Sequence, residues 1–316
     1  MKENKENIAN LAFFSILAIL VLSFFISNTQ FFGLSRDYEN YKAIFSGSTG
    51  DEVVLELFYR LLLELTHNYK FIIFTVLLLS LLLKLTFFIK NMVSKEGLIL
   101  FVLYYALVSC WILDYTQIRN GLCISILMFS VYYLFNGKVT AFYISVLIAI
   151  TAHWSAIPFL LLYPYLHSAR IRFCGNIIAG LFVIIYITGN TGEIIMLIRN
   201  YGIGQKIGND GEVNLLNSLS LIFITWFILS LQVLKQPIKN NFIRFFTFAF
   251  LQYVIFVMFS LPVTAFRILE AYFFLMVTIG VFNTDHKRSI LILLMKFAII
   301  FYMAFYYHVM FGVLNE

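Results

Sequence analysis

His153 lies inside the long apolar run Val139–Leu166, where a titratable side chain is costly and by default marks a function. Near neutral pH an imidazole can take a proton or donate a hydrogen bond. Asp37 and Glu39, within Ser35-Arg36-Asp37-Tyr38-Glu39-Asn40-Tyr41, set carboxylates beside two tyrosines. Such carboxylates can orient a hydroxyl or accept its proton. Arg36, Arg119, Arg199 and Arg267 each stand at or just beyond the end of an apolar run. Guanidinium presents a planar fork of donors that matches phosphate oxygens. One such arginine reads as an interfacial, snorkelling side chain. Four on one face read as a seat for a diphosphate. Asp114 and Gln117 flank Arg119, and Glu56 is a further polar candidate. At four-residue spacing Glu56 can also pair with Arg60, so a structural ion pair competes with binding there. His67, His167, His286 and His308 read as interfacial or peripheral.

The elements that must hold these residues are set by composition. Of 316 residues, 61% are hydrophobic and 12% charged, and the mean hydropathy is +0.90. A soluble domain carries about 25% charged residues, so the apolar excess here must face lipid. A helix needs about 20 apolar residues to cross the hydrocarbon core. Runs near that length occur at Ile8–Ile26, Phe71–Ile89, Gly97–Leu113, Ile118–Phe135, Val139–Leu166, Phe173–Gly189, Leu215–Leu234, Phe242–Leu261, Ala265–Phe282 and Ile290–Leu314. They predict an all-α polytopic membrane protein of about ten spans. Val53–Leu65 carries Glu56, Arg60 and Glu64 and reads instead as an interfacial amphipathic helix.

Basic residues concentrate on the cytoplasmic side of membrane proteins. With the N-terminus inside, Lys90/Lys95, Lys138, Lys235/Lys239/Arg244 and Lys287/Arg288 are all cytoplasmic only if Val139–Leu166 enters and leaves on the same face. That arrangement puts fourteen of the 22 basic residues inside, whereas a single span there leaves nine. His153-Trp154-Ser155 and Pro158 supply the break, which predicts a re-entrant hairpin turning around His153. The hydrophilic stretches 27–52 and 190–214 then lie outside, and residues 1–316 read as one transmembrane domain. The second stretch is glycine-rich, as a mobile loop is.

Several chemistries lack their signatures. The chain has no nucleotide-binding glycine fingerprint, no HExxH, no CxxC and no Gly-x-Ser-x-Gly. Its acids do not cluster as a metal site, and Cys110, Cys123 and Cys174 have no pairing or ligand spacing. Neither metal nor cofactor is expected. The net charge of +6 reports orientation and does not argue for nucleic acid.

Short motifs along most of the chain resemble the EpsG-like and Wzy-type polysaccharide polymerases of bacterial surface glycan assembly. They are Asp37-Tyr38…Tyr41…Phe45, Glu56 in Leu55-Glu56-Leu57-Phe58-Tyr59, and Ile118-Arg119-Asn120-Gly121-Leu122 with Asn136-Gly137-Lys138 at the far end of its helix. His153-Trp154-Ser155-Ala156 and Arg267-Ile268…Tyr272-Phe273 follow. Asn120 departs from the pattern, which usually shows Gln after the Arg. The resemblance implies an enzyme of the O-antigen polymerase type in the bacterial inner membrane, with its site facing the periplasm. It would be a glycosyltransferase that moves a growing glycan from undecaprenyl diphosphate to the next undecaprenyl-diphosphate-linked unit, as in lipopolysaccharide biosynthesis. On that reading Arg119, Arg267 and Arg36 contact diphosphate, His153 or Asp37 is the base, and grooves between helices hold the polyprenyl tails. Arg199, Glu56, Gln117 and Tyr38 complete the substrate contacts. The implied partners are the lipid-linked oligosaccharide units, membrane lipid and a chain-length regulator.

A lipid-linked oligosaccharide flippase is a rival, but it should show two similar halves with breaks in matching positions, and here one break stands alone. An O-antigen ligase-type transferase uses the same donor chemistry and is separated only by its acceptor. A membrane subunit without catalysis leaves the outer arginines unexplained.

Overall fold

The computed structural model describes residues 20–26, 42, 57–91, 95–188, 215–234, 236–259, 261–283 and 290–310. Among them the chain is helical throughout, with no β-strand. After a helical stretch at 20–26 come α1 (Leu57–Thr66), α2 (Tyr69–Asn91) and α3 (Lys95–Tyr104). The last of these runs on as a π-helical segment, Tyr105–Thr116. Next are α4 (Ile118–Phe135), α5 (Val139–Ala152), a 3₁₀ stretch (Trp154–Leu161), α6 (Leu162–His167) and α7 (Ala169–Ile187). Beyond the second loop lie α8 (Ser218–Val233), α9 (Gln236–Met258), α10 (Pro262–Asn283) and α11 (Ile290–Phe305), the last followed by a π turn, Tyr306–Met310.

Five helices are long and apolar enough to cross a membrane: Tyr69–Phe88, Ile99–Thr116, Ile118–Phe135, Ile238–Met258 and Ile290–His308. A sixth results if Trp154–His167 and Ala169–Ile185, bent by 118° at Ser168, form one span. The chain is a polytopic membrane protein. The expected ten exceeds what the described residues supply. Two of the runs become α5 and α8, whose 14 and 16 residues are short for a span. Most of Ile8–Ile26, and of the loops 27–52 and 190–214, lies outside the described residues.

The chain divides into two compact units, residues 1–157 with 300–316, and residues 158–299. In the first, α4 packs against both α5 and α2. The α4–α5 hairpin is closed by a Schellman cap. Gly137 adopts φ +72°, its N–H donates to Leu134 O at 3.1 Å, and Lys138 N–H donates to Tyr133 O at 2.9 Å. Aromatic edges fill the α2–α4 seam, where Phe87 meets Phe129 and Tyr132 at 5.2 and 5.9 Å. The amphipathic helix, described from Leu57 to Thr66, rests on α2 and α5. Its Tyr59 is buried, whereas Leu57, Leu61 and Leu65 form an exposed stripe. Serines and threonines inside the helices mostly donate to their own backbone, as Ser125 Oγ does to Gly121 O at 2.7 Å.

The second unit centres on α9 and α10 with α7 and α8 beside them. Phe227 and Phe246 stack, Trp226 lies against Phe273, and Tyr272 is held between Phe159 and Phe245. The bend at Ser168 has a clear physical cause. Helix α6 ends there with open carbonyls, and two guanidinium groups meet them: Arg172 and Arg244 donate to Leu166 O at 2.6 and 2.7 Å. Arg244 is therefore a helix cap as well as one of the charges expected to set orientation.

Candidate active site

The opening of α4 carries the candidate site. The π-helical segment ends at Gln117, whose N–H reaches back five residues to Ile112 O at 2.8 Å. Irregular helical turns of this kind concentrate at functional positions. Helix α4 then starts beneath this turn, and the approach is close. A Cβ on Gly121 would stand 2.6 Å from Leu113 O and 3.0 Å from Asp114 Oδ1. Glycine at 121 lets the first turn of α4, with Arg119 and Asn120, dock on the end of the π segment.

The break in the apolar run faces the same turn. Helix α5 stops at Ala152, and His153 takes an extended backbone (φ −162°, ψ 135°) before the 3₁₀ stretch begins. From there a chain of hydrogen bonds runs back to α4. Ser155 Oγ donates to Asn120 Oδ1 at 3.2 Å, and Asn120 Nδ2 donates to Gln117 Oε1 at 3.0 Å. The Cys123 thiol sits 3.9 Å from both His153 O and Ser155 Oγ. Asn120 is buried, Arg119 and Gln117 are half-buried, and Ser155 is exposed. Gln117, Asn120, Ser155 and His153 are thus linked by hydrogen bonds, and Arg119 stands on the same turn of α4.

Tautomer follows from geometry. Ser155 N–H points to His153 Nδ1 at 3.3 Å, so Nδ1 is the acceptor nitrogen. A neutral imidazole that accepts at Nδ1 carries its proton on Nε2.

Arg267 is exposed on α10, in the second unit, and the Tyr272 of its motif is buried among aromatic rings. Arg36, Asp37, Tyr38, Glu39, Glu56 and Arg199 lie outside the described residues. Asp114 does not line the turn beside Arg119 but points inward, fully buried. Its oxygens accept from Lys84 Nζ (2.7 Å to each), Ser80 Oγ (2.8 Å) and Tyr105 Oη (2.6 Å). Lys84 is thus an internal charge, not an orienting one. So is Lys296, buried with its ammonium 5.0 Å from the centre of the Trp226 ring. Without these two the cytoplasmic count falls from fourteen to twelve, still the larger share of 22. His308, read as peripheral, packs edge-on to Trp111 and places Nε2 2.7 Å from Leu107 O.

The ion pair and the roles of Lys84, Tyr105, Ser80 and Ser125 escape a sequence reading. The one available signal was a lysine inside a leucine-rich run, where a charge needs a partner.

With the geometry in place, comparison with known proteins decides the family. A model of the EpsG family matches residues 12–315, nearly the whole chain. The protein belongs to the EpsG family. That family is associated with Wzy-like polymerases, so the resemblance of the short motifs holds across the chain. No curated protein and no solved structure matches it.

Proposed function

We propose that this EpsG-family protein polymerises a surface polysaccharide, transferring the growing glycan from undecaprenyl diphosphate to the next lipid-linked repeat unit. In this reaction the bond between the donor's anomeric carbon and its diphosphate oxygen breaks, and a bond to the acceptor hydroxyl oxygen forms. The electron pair leaves with the diphosphate, and the acceptor proton goes to a base. The hydrogen-bonded link from the α4 opening to the His153 break carries the reading, because it ties the helical turn that bears Arg119 to the break that bears His153 in a largely apolar surround.

Within that surround Arg119 stabilises charge gathering on the departing diphosphate, as preorganised donors do for other developing anions. His153, with its proton on Nε2, serves as a second donor to the leaving oxygens, and this leaves Asp37 as the base. Gln117 and Asn120 hold the turn, with Ser155 as the tie to the break. Arg36, Arg199 and Arg267 supply further phosphate contacts, and Tyr38 and Glu56 contact sugar. On this reading the chain sits in the bacterial inner membrane with ten spans, residues 139–166 return to the face they entered, and the site faces the periplasm. It needs no cofactor and works with a chain-length regulator.

The test compares variants in a strain whose own gene is deleted, reading the surface glycan on a gel. Arg119→Ala should leave only single-unit lipid, and Lys at 119 should not restore length, because it lacks the fork. His153→Gln retains a side-chain N–H and should stay within about tenfold of wild type, whereas His153→Ala falls about a hundredfold or more. A normal ladder from Arg119→Ala refutes the diphosphate seat. Equal loss in the two His153 variants refutes the donor role.

A further inference from the structure

Gln117 alone separates the π segment from α4, and its backbone (φ −102°, ψ 57°) is not helical. Two soft dihedrals therefore set the angle at which the turn bearing Arg119 meets the π segment. A second connection crosses this joint by way of α2. Its near anchor is Asp114, three residues before Gln117, and its far anchor is Gly121, four residues after. Ser80 of α2 has its Oγ 2.8 Å from Asp114 Oδ1 and 2.9 Å from Ser125 Oγ, and Ser125 Oγ donates to Gly121 O at 2.7 Å. Lys84, one turn along α2, donates to Ser80 Oγ at 2.8 Å and to each Asp114 oxygen at 2.7 Å. Ser80, Lys84, Asp114 and Ser125 are all buried, so water does not compete for these bonds. Each hydroxyl has one proton to give. Asp114 already accepts two bonds from Lys84 and one from Tyr105, so Ser80 can donate to Ser125 while Ser125 donates to Gly121 O. The bonds then run one way, from the Lys84 ammonium to the Gly121 carbonyl, and each strengthens the next.

We propose that Lys84, Asp114, Ser80 and Ser125 are positioning residues for the reaction: they brace the joint at Gln117 and so fix the turn of α4 that bears Arg119. The inference rests on the polymerase reading for what Arg119 does, whereas the brace itself does not. The chain of bonds grips the joint on both sides, which a network serving one helix alone would not do. Packing at the joint leaves no slack either, since a Cβ on Gly121 would stand 2.6 Å from Leu113 O and 3.0 Å from Asp114 Oδ1. A buried ion pair is by itself weak support for stability. Here it is placed to hold an angle.

The experiment uses the full chain in nanodiscs, with lipid-linked units extracted from the deletion strain as substrate. Ser125→Ala cuts the brace and strands no charge, because Lys84 and Asp114 keep each other. It should unfold at the same SDS concentration as wild type, yet exchange the backbone amides of residues 118–124 about tenfold faster. Its kcat should fall about tenfold or more with KM within about twofold, the pattern of a misplaced transition-state contact. Ser125→Thr keeps the hydroxyl and should restore most of kcat. Ser80→Ala combined with Ser125→Ala should lose no more than the worse single variant, since both cut one chain. An unchanged kcat in Ser125→Ala, or losses that multiply in the double variant, overturns the proposal. If Thr crowds its buried site, as a lower SDS midpoint would show, the double variant decides. Faster exchange in a protein that makes no polymer leaves the brace standing and removes the polymerase reading. A working polymerase whose Ser125→Ala variant exchanges and turns over as wild type does the reverse.

Discussion

Removing Asp114 without Lys84 is the sharpest perturbation of the first unit. The two side chains are 0% and 4% exposed, and the ammonium lies 2.7 Å from each carboxylate oxygen. Asp114→Asn keeps the shape but strands a buried positive charge, and breaking one partner of such a pair costs about 3–5 kcal/mol. Lys84→Met strands the carboxylate, with Ser80 and Tyr105 still donating to it. The double variant strands no charge. Its expected cost is about 1–2 kcal/mol, the price of weaker hydrogen bonds from Ser80 and Tyr105 to an amide oxygen. The coupling in the cycle is then about 2 kcal/mol or more, well beyond the few tenths seen between independent sites. In micelles the SDS-unfolded state keeps helices that can partner the stray charge, which pulls the single-variant costs toward the lower end. Equilibrium SDS titration followed by far-UV circular dichroism measures all four proteins. Single variants costing under about 1 kcal/mol, or a double variant equal to the sum of the singles, would refute the claim that the two charges are each other's compensation.

Two glycine substitutions test the frame of the site. Gly121→Ala drives a Cβ to 2.6 Å from Leu113 O, so the start of α4 must move. The expected cost is about 1–3 kcal/mol in SDS titration, with polymer length shortened as Asn120 is carried off Ser155. Gly137→Ala meets no atom within 4 Å and is charged only for its φ of +72°. It should lose about 1–2 kcal/mol with normal glycan length, and a shortened glycan would contradict its purely structural role.

The parts of this molecule that could be read from the sequence are those where composition and backbone chemistry speak locally. A polar triplet and a proline inside an apolar run marked the break at His153, and Asn136-Gly137-Lys138 marked the turn after α4. Facing directions were not readable. Helix α2 is apolar around much of its circumference, so hydropathy does not say that Lys84 turns toward Asp114, thirty residues on. The π register of Tyr105–Thr116 leaves no trace in residue type, since it changes the hydrogen-bond partner and not the hydropathy. The bend at Ser168 was missed for another reason. Its cause lies in Arg172 and Arg244, and the latter comes from 78 residues away. Of the four arginines expected together, Arg119 has company in the described residues from Gln117, Asn120 and the His153 break, which lie within one unit.

The Lys84–Asp114 pair also bears on how the chain is made. Helix α2 leaves the ribosome before its carboxylate partner exists, carrying an ammonium four residues from the end of the span Tyr69–Phe88, where the cost of insertion falls below the about 2.5–3.5 kcal/mol of a charge at the centre of a lone helix. The π segment reaches the exit thirty residues later with the acid that cancels this cost. Until then the favourable state for α2 is the lateral gate of the translocon, in reach of water, and release into lipid is easier as a matched pair of segments than one by one. A network that looks static in the finished protein thereby favours joint over separate release of the two segments that carry it.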